Sequence, residues 1–277
     1  VLDRWLLSRL NTVVAAMDDH LENYRIPETT RVLQDFVDEM SNWYVRRCRE
    51  RFWAGEVTDD KTAAYMTLYT ALVTIAKAAA PIIPFMSEEI YQNLVAGHVA
   101  GVPESVHLCA YPVSDPAWIN RALEEDMDNV LEIVTLGRAA RNNAERKNRQ
   151  PLAEMFVQSE RKLDEMYQNV ICDELNVKTF SYVEDASRFV TYTFKPQLKL
   201  LGQKYGKKIG EIREKLAALD GIAAKSQLDQ TGLLPLALSD GEIQLPAEEL
   251  LIDSHPLEGY ETQPDRGIPV TLDIRLT

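Results

Sequence analysis

The sequence predicts a mainly α-helical protein, with a helical bundle over residues 1–150 followed by a smaller α+β domain over residues 151–277. Three observations lead to this fold class. Apolar residues recur at the three- and four-residue spacing of buried helix faces throughout the first part of the chain. After Pro151, short segments alternate between apolar and polar residues, as half-buried strands do. The chain is also long enough for two domains, each with its own core.

Three long helices and one short helix are predicted in the first part of the bundle. They are expected at residues 1–22, 28–54, 60–80 and 87–94. Pro27 suits the first turn of the second helix, and Gly55 suits its end. Pro81 and Pro84 force a bend before the short helix. These four helices should pack through their apolar faces.

The remaining elements follow from the same patterns. A loop over residues 98–118 should hold a short extended piece, Ser105–Tyr111, before a long helix over residues 118–148. The second domain should contain strands at 153–158, 177–183, 189–194, 236–238, 242–245 and 270–276, and helices at 159–175, 209–219 and 221–229. Ser239-Asp240-Gly241 should form the turn of a hairpin.

The composition is that of an ordinary water-soluble protein, with 45% hydrophobic and 26% charged residues. No apolar run approaches twenty residues, so we expect no membrane span. No secretory signal opens the chain, and three widely separated cysteines indicate a reducing compartment. We therefore expect a cytoplasmic protein, which we take to be a monomer. Because the chain starts without Met and ends in a predicted strand, we expect it to be a fragment.

No catalytic or metal site is predicted. The sequence has four histidines and no Cys-x-x-Cys pair, so we expect no structural zinc site. It also has no Gly-rich phosphate loop, no H-E-x-x-H and no G-x-S-x-G. Adjacent carboxylates such as Glu88 and Glu89 face different directions on a helix and should be solvated. A binding role is the better expectation.

The net charge of −13 hides three basic clusters. They lie at Arg46–Arg51, Arg138–Arg149 and Lys195–Lys215. A protein that binds nucleic acid through a localised basic stripe, while its other faces repel it, would have this pattern. An acidic protein with no nucleic-acid role would have it as well, so charge leaves both readings open.

The stretch Ser41–Trp53 concentrates four arginines and four aromatic residues in thirteen positions. On a helix of about 100° per residue, an apolar stripe runs from Leu33 to Phe52. The opposite, open side then carries Arg46, Arg49 and Trp53, with Trp43 at its margin. Guanidinium groups beside aromatic rings can bind phosphates and stack on unpaired bases. This stretch is the first candidate interface.

A solvated charged face would have the same pattern. In that alternative, Arg47 and Arg51, which fall near the apolar stripe, pair with carboxylates such as Asp35, Asp38 and Glu39. The second cluster has two interpretations as well. Arg138, Arg141 and Arg149 continue the apolar face of their helix, so they could contact a partner or complement the helix's negative C-terminal end.

Several segments resemble isoleucyl-tRNA synthetases, which are class I enzymes, and they occur in the order found in that family. Ser41–Trp53 resembles the signature S-N-W-Y-V-R-R-x-R-x-R-F-W of the helical anticodon-binding domain. The other matching segments are Leu2–Asn11, Ala78–Tyr91, Arg138-x-x-Arg141 with Arg149–Leu152, Asp173–Lys178, and Lys195-Pro196 with Leu201–Lys208. Each segment is moderately specific, and the whole set is strong.

The resemblance implies that the chain binds tRNA(Ile) for ATP-dependent aminoacylation by a catalytic core. The signatures H-x-G-H and K-M-S-K-S are absent from the sequence, so ATP and Mg²⁺ are expected in that core, and no zinc ligands are expected in this chain. The tRNA-binding candidates are Trp43, Arg46, Arg49, Trp53, Arg138, Arg141, Arg146, Lys147, Arg149, Lys204, Lys207 and Lys208. Asp3, Trp5 and Arg9 on the N-terminal helix are expected to face the core.

Two other functions would account for part of this pattern. The first is the same region of a valyl-, leucyl- or methionyl-tRNA synthetase, which shares the bundle. The Arg-rich W-Y-V-R-R segment and the E-L-N-V-K segment favour isoleucine. The second is a non-catalytic helical scaffold for protein partners, which would show no salt-sensitive affinity for tRNA.

Overall fold

The computed structural model describes residues 1–263 and 268–275. Its fold confirms the predicted class, because helices dominate and the strands lie in the later part of the chain. The chain divides into two compact units, Val1–Asp128 and Asn129–Thr277. This division falls within a long helix, whereas the domain boundary was predicted near residue 150.

The first unit contains helices, turns and loops and no strand among its described residues. Its helices are α1 (Leu2–Glu22), α2 (Ile26–Glu39), α3 (Arg49–Trp53), α4 (Asp59–Ala79), α5 (Pro84–Tyr91) and the start of α6 (Arg121–Asn143). The segment Ser105–Tyr111, predicted to be extended, instead contains a 3₁₀ turn at Val106–Leu108. Ser105 caps this turn, because its hydroxyl accepts a hydrogen bond from the His107 N–H. This local bond stabilises the turn relative to an extended segment that has no partner strand.

Helix α1 lies at the centre of the first unit and packs against α2 and α4. Its predicted apolar face is buried, with Leu6, Leu10 and Met17 in the core. Trp5 is also fully buried, and the Arg9 guanidinium donates two hydrogen bonds of 2.8 and 2.9 Å to Glu39. The expectation that Trp5 faces a separate catalytic core is therefore wrong, because its side chain lies inside the bundle. Arg9 is half-buried and is engaged with Glu39 within the bundle.

Asp3 joins three helices of the bundle. Its carboxylate accepts two hydrogen bonds of 2.8 Å from the Arg51 guanidinium and one of 2.6 Å from the Tyr44 hydroxyl. Arg51 also donates to the Asp60 carboxylate at 2.8 Å. Burial by itself would raise the pKa of Asp3, but the hydrogen bonds from Arg51 and Tyr44 hold it below its ordinary value. Arg51 thus stabilises the bundle, as the alternative interpretation of the basic stretch expected, although its partners are Asp3 and Asp60 and not Asp35, Asp38 or Glu39. Asp3 does not face outward.

The helix predicted over residues 28–54 is three shorter pieces. Helix α2 ends at Glu39, a π-helical turn covers Met40–Val45, and α3 begins at Arg49. A π turn bonds each residue to the fifth along the chain, so the 100° spacing of the α-helix does not apply across it. Positions after the turn are consequently rotated relative to the single-helix projection.

The second unit combines the end of α6 with four further α-helices and eight strands among its described residues. The helices are α7 (Glu165–Leu175), α8 (Leu198–Tyr205), α9 (Ile209–Ala217) and α10 (Gly221–Thr231). The strands are β1 (Leu152–Val157), β2 (Val177–Tyr182), β3 (Val190–Pro196), β4 (Leu233–Leu238), β5 (Gly241–Pro246), β6 (Leu250–Pro256), β7 (Tyr260–Gln263) and β8 (Val270–Asp273). Helix α8 and strands β6 and β7 were not predicted.

The strands form one four-stranded sheet and two ribbons. The sheet has the order β2-β1-β8-β7, with β1 and β2 parallel and the other pairs antiparallel. Strands β4 and β5 form the predicted hairpin, and β3 pairs with β6 from Val190–Pro256 to Pro196–Leu250. The predicted strand over 270–276 ends at Asp273, and Leu276 lies outside the described residues.

A search of the described helices finds none with the length and apolar character to cross a membrane. Across residues 1–263 and 268–275, no group of three or more His, Cys, Asp or Glu side chains is arranged to hold a metal ion.

Replacing Asp3 with Asn should destabilise the first unit by about 1–3 kcal/mol at pH 7, because it removes the charged acceptor of Arg51 and Tyr44. Since the folded pKa is depressed, the stabilisation is present in full above the unfolded pKa of about 4 and is lost as the pH falls through the folded pKa. Urea denaturation between pH 2.5 and 7 measures both effects. Asp35→Asn, on an exposed face of α2, is the matched control. Equal stability of the two variants would contradict the role given to Asp3.

Candidate nucleic-acid interface

The short helix α3 presents a cation and an aromatic ring together on the surface. The Arg49 Cζ atom lies 5.0 Å from the centre of the Trp53 ring, one helical turn away, and Trp53 is 74% exposed. Arg46 is exposed before α3, and its Nε donates to the Asn42 carbonyl at 3.0 Å. A planar cation against an open indole face can bind a phosphate while the ring stacks on a base.

Side chains of helix α4 contact the backbone and the Phe52 ring of α3 and so fix the position of the Arg49–Trp53 pair. The Tyr65 hydroxyl donates to the Phe52 carbonyl at 3.3 Å, and the two rings meet edge to face with their centres 5.2 Å apart. The Lys61 ammonium donates to the Ala54 carbonyl at 2.5 Å, just past the end of α3. These contacts satisfy backbone carbonyls at the end of a helix too short to be stable alone. The Arg49–Trp53 pair is therefore held on a fixed support.

Trp43 does not belong to this open surface. It is only 3% exposed, and its indole N–H donates to the Met127 sulfur at 3.3 Å. The prediction that it lies at the margin of the open face is wrong. The physical reason is that the stretch packs against α6 as well as against α1 and α4, so a second side of it is buried.

The second basic cluster contains a buried arginine. Arg141 is 2% exposed, and its guanidinium donates to the carbonyls of Lys147, Gln150 and Asn176 at 3.1, 3.0 and 2.9 Å. Burial lowers the pKa of Arg141 from its ordinary value. The prediction that Arg141 faces a partner is corrected, because its side chain closes the loop after α6 onto the start of β2.

Three of the matching sequence segments meet at this point. A Cβ atom at Gly137 would lie 2.3 Å from the Leu175 Cδ1 atom, so the helices α6 and α7 approach closely there. Arg138 forms an ion pair with the buried Glu174 carboxylate. Asn176 ends α7 with φ +49°, and its carbonyl accepts from Arg141 and from the Leu152 N–H. The contacts between these segments hold the end of α6 against the end of α7. Arg138 is half-exposed, and its guanidinium is already paired with the Glu174 carboxylate.

The loop closed by Arg141 carries the remaining cations of this cluster. Lys147 and Arg149 are exposed on it, and Arg146 is half-buried. The loop backbone is fixed by the Arg146 N–H, which donates to the Arg141 carbonyl at 2.8 Å. Lys147 and Arg149 can therefore contact an anionic partner without any rearrangement.

The third cluster is mostly committed to pairing within the protein. Lys204 forms an ion pair with the buried Glu249, and Lys208 forms one with Asp240. Lys207, on the 3₁₀ turn after α8, is exposed. The pairs do not exclude phosphate binding by Lys204 and Lys208, but each would have to compete with a carboxylate. Sequence reasoning did not single out Lys199 and Arg213 of the same cluster, which line a surface cleft described below.

Comparison with known proteins identifies the family. The family model described as the anticodon-binding domain of tRNA ligase matches residues 3–157, which is more than half of the chain. The chain belongs to this family. The matched range holds Ser41–Trp53 and the whole of α6. The anticodon-binding domain that the sequence segments indicate is thereby confirmed, and the scaffold alternative is not favoured.

The similar relatives are isoleucine–tRNA ligases. The chain is 44% identical to the isoleucine–tRNA ligase of Clostridium novyi over all of its own length and 27% of the relative's length. It is 44% identical to that of Clostridium acetobutylicum over the same shares, and 36% identical to that of Porphyromonas gingivalis over 24% of the relative's length. The chain thus spans about a quarter of the length of these relatives.

Replacing Arg141 with Gln should lower the free energy of unfolding by about 2–3 kcal/mol, because three backbone carbonyls lose a charged donor. Hydrogen exchange at the Arg146 and Leu152 amides should speed up, since both lie on segments that Arg141 holds. Arg149→Gln, on the same loop but exposed, should change stability by no more than about 0.5 kcal/mol. Similar losses in both variants would contradict this assignment.

Proposed function

We propose that this chain is the anticodon-binding region of an isoleucine–tRNA ligase. In this proposal it holds tRNA(Ile) while the tRNA is aminoacylated, with ATP and Mg²⁺, by another part of the longer protein. The family match and the names of the relatives support this assignment. The observation of the structure that carries it is the Arg49–Trp53 pair, an exposed cation against an open aromatic face. The cytoplasmic location and the domain boundary near residue 150 remain proposals of the same kind.

In the proposed complex, the groups that fix the position of the RNA differ from the group that contacts its bases. Arg46 and Arg49 contact phosphates, which fixes the position of the RNA and carries no sequence information. Trp53 stacks on an unpaired base of the anticodon loop, where splayed bases expose their faces and edges. The exposed Lys147 and Arg149 add phosphate contacts from the loop after α6. The chain therefore binds and orients the RNA, and the bond-making step belongs elsewhere.

The acidic remainder of the chain assists this arrangement. A net charge of −13 repels RNA from most of the surface, so that the basic groups around α3 are the favourable place of approach. Binding should then weaken steeply with salt, because phosphate contacts release counterions.

The test of the proposed function is binding to an isoleucine tRNA transcript and to an anticodon-swapped transcript, each at low and moderate salt. Tighter binding to the cognate transcript, weakening as salt rises, is the expected result. Equal affinity for both transcripts would remove anticodon reading from this chain. Absence of binding to either would overturn the proposal for the chain by itself.

Replacing Arg46 or Arg49 with Gln should weaken tRNA binding and flatten its salt dependence. Each lost phosphate contact lowers the slope of log K against log salt by about 0.7–0.9. Fluorescence anisotropy over a range of salt concentrations measures the slope. Arg31→Gln, an exposed cation on α2 outside the proposed surface, should leave it unchanged. A uniform change in all three variants would mean that total charge, not position, governs binding.

Replacing Trp53 with Ala should cost about 1–3 kcal/mol in tRNA binding, since one base loses its stacking partner. Stability should change little because the ring is 74% exposed. Trp53→Phe should restore part of the affinity, and Trp118→Ala, another exposed tryptophan of the first unit, serves as the control. If the Trp53→Ala variant bound tRNA with unchanged affinity, the stacking role of Trp53 would be contradicted.

A further inference from the structure

A cleft in the second unit has chemistry that RNA binding does not explain. It has a volume of about 950 Å³ and lies against the β3–β6 ribbon, α8 and α9. Its floor is apolar, and two of its leucines are unusually open, Leu198 at 53% and Leu251 at 50% exposure. Exposed apolar surface rimmed by polar groups is typical of a binding site.

The charge of the cleft is opposite to that of the chain. Its lining contains Lys195, Lys199 and Arg213 and no carboxylate, in a protein with a net charge of −13. Lys195 is already paired with Asp253 at 2.6 Å. Lys199 and Arg213 are exposed, and neither forms an ion pair among residues 1–263 and 268–275. Two cations beside an apolar floor are therefore available to an outside carboxylate.

We propose that this cleft binds an acidic amphipathic segment of a protein partner. Leucine-like side chains of the segment cover Leu198 and Leu251, and its carboxylates pair with Lys199 and Arg213. Charge complementarity argues for this partner, because the cleft concentrates positive charge where the rest of the protein is acidic. The segment's apolar residues supply affinity, and its carboxylates fix its orientation.

Single-stranded RNA fits the cleft less well. Proteins that bind unpaired bases stack them on open aromatic rings. Of the two aromatic rings in the lining, Phe194 is buried, and the His255 imidazole is hydrogen-bonded to the Thr193 hydroxyl at 3.0 Å. The open surface is formed by aliphatic leucines, which match apolar protein side chains. This proposal is independent of the proposed tRNA-binding function, since it uses none of the residues assigned there.

The probe is a fluorescein-labelled peptide of repeated Glu-Glu-Leu-Leu blocks, titrated with the 277-residue chain. Two matched peptides replace its leucines with serine or its glutamates with lysine. Only the Glu-Leu peptide should bind. Arg213→Glu and Leu251→Ser should each weaken its binding by about tenfold. The control variants Lys178→Glu and Leu233→Ser, exposed elsewhere in the second unit, should leave its binding unchanged.

A charge swap makes the test sharper. The double variant with Lys199→Glu and Arg213→Glu should lose the Glu-Leu peptide and gain the Lys-Leu peptide. Circular dichroism checks that each variant folds, as expected for exposed positions. The proposal is overturned if the Glu-Leu peptide does not bind, if the Glu-Ser peptide binds equally well, or if the swap has no effect. It is also overturned if a single-stranded oligonucleotide displaces the peptide and depends on the same side chains, which would make the cleft a nucleic-acid site.

Discussion

The ion pair between Asp3 and Arg51 is the interaction on which the first unit depends. It ties α1 to α3, and through Asp60 it reaches the start of α4. Helix α3 has only five residues and could not form without such contacts. Because Arg49 and Trp53 lie on α3, the geometry of the proposed RNA contact depends on a carboxylate that lies 48 residues before Arg51 in the sequence. Arg51 therefore supports the interface without being part of it.

Arginine has two separate roles in this molecule. Arg51 and Arg141 use the fixed fork of the guanidinium to bind carboxylates and carbonyls inside the protein, and lysine could not reproduce that geometry. Arg46 and Arg49 are exposed on the surface, and the proposed function assigns their guanidinium groups to phosphate. All four belong to segments shared with the isoleucyl-tRNA synthetases. Membership of a family signature therefore does not mean that a residue touches RNA.

The spacing of apolar residues along the sequence predicted most of the fold. The long helices α1 and α4, the β4–β5 hairpin and the strands β1, β2 and β8 lie close to their predicted positions. Helix α8 was missed because it is short and Gly202 interrupts its helical pattern, and β6 was missed because its alternation is interrupted by polar residues at its end. Both elements are stabilised by packing in the hydrophobic core of the second unit, which contains Leu201 of α8 and Leu250 of β6. Packing of that kind outweighs local propensity.

The sequence by itself determined the family, the helical character of the first part and the basic, aromatic stretch that the proposed function uses. It did so because these are properties of spacing and composition along one segment. Only the tertiary structure decided which of the candidates are open. Trp43 and Arg141 are buried by Met127 and by the loop after α6, whereas Trp53 stays exposed. Burial depends on neighbours distant in the chain, so no reading of a single helix can assign it.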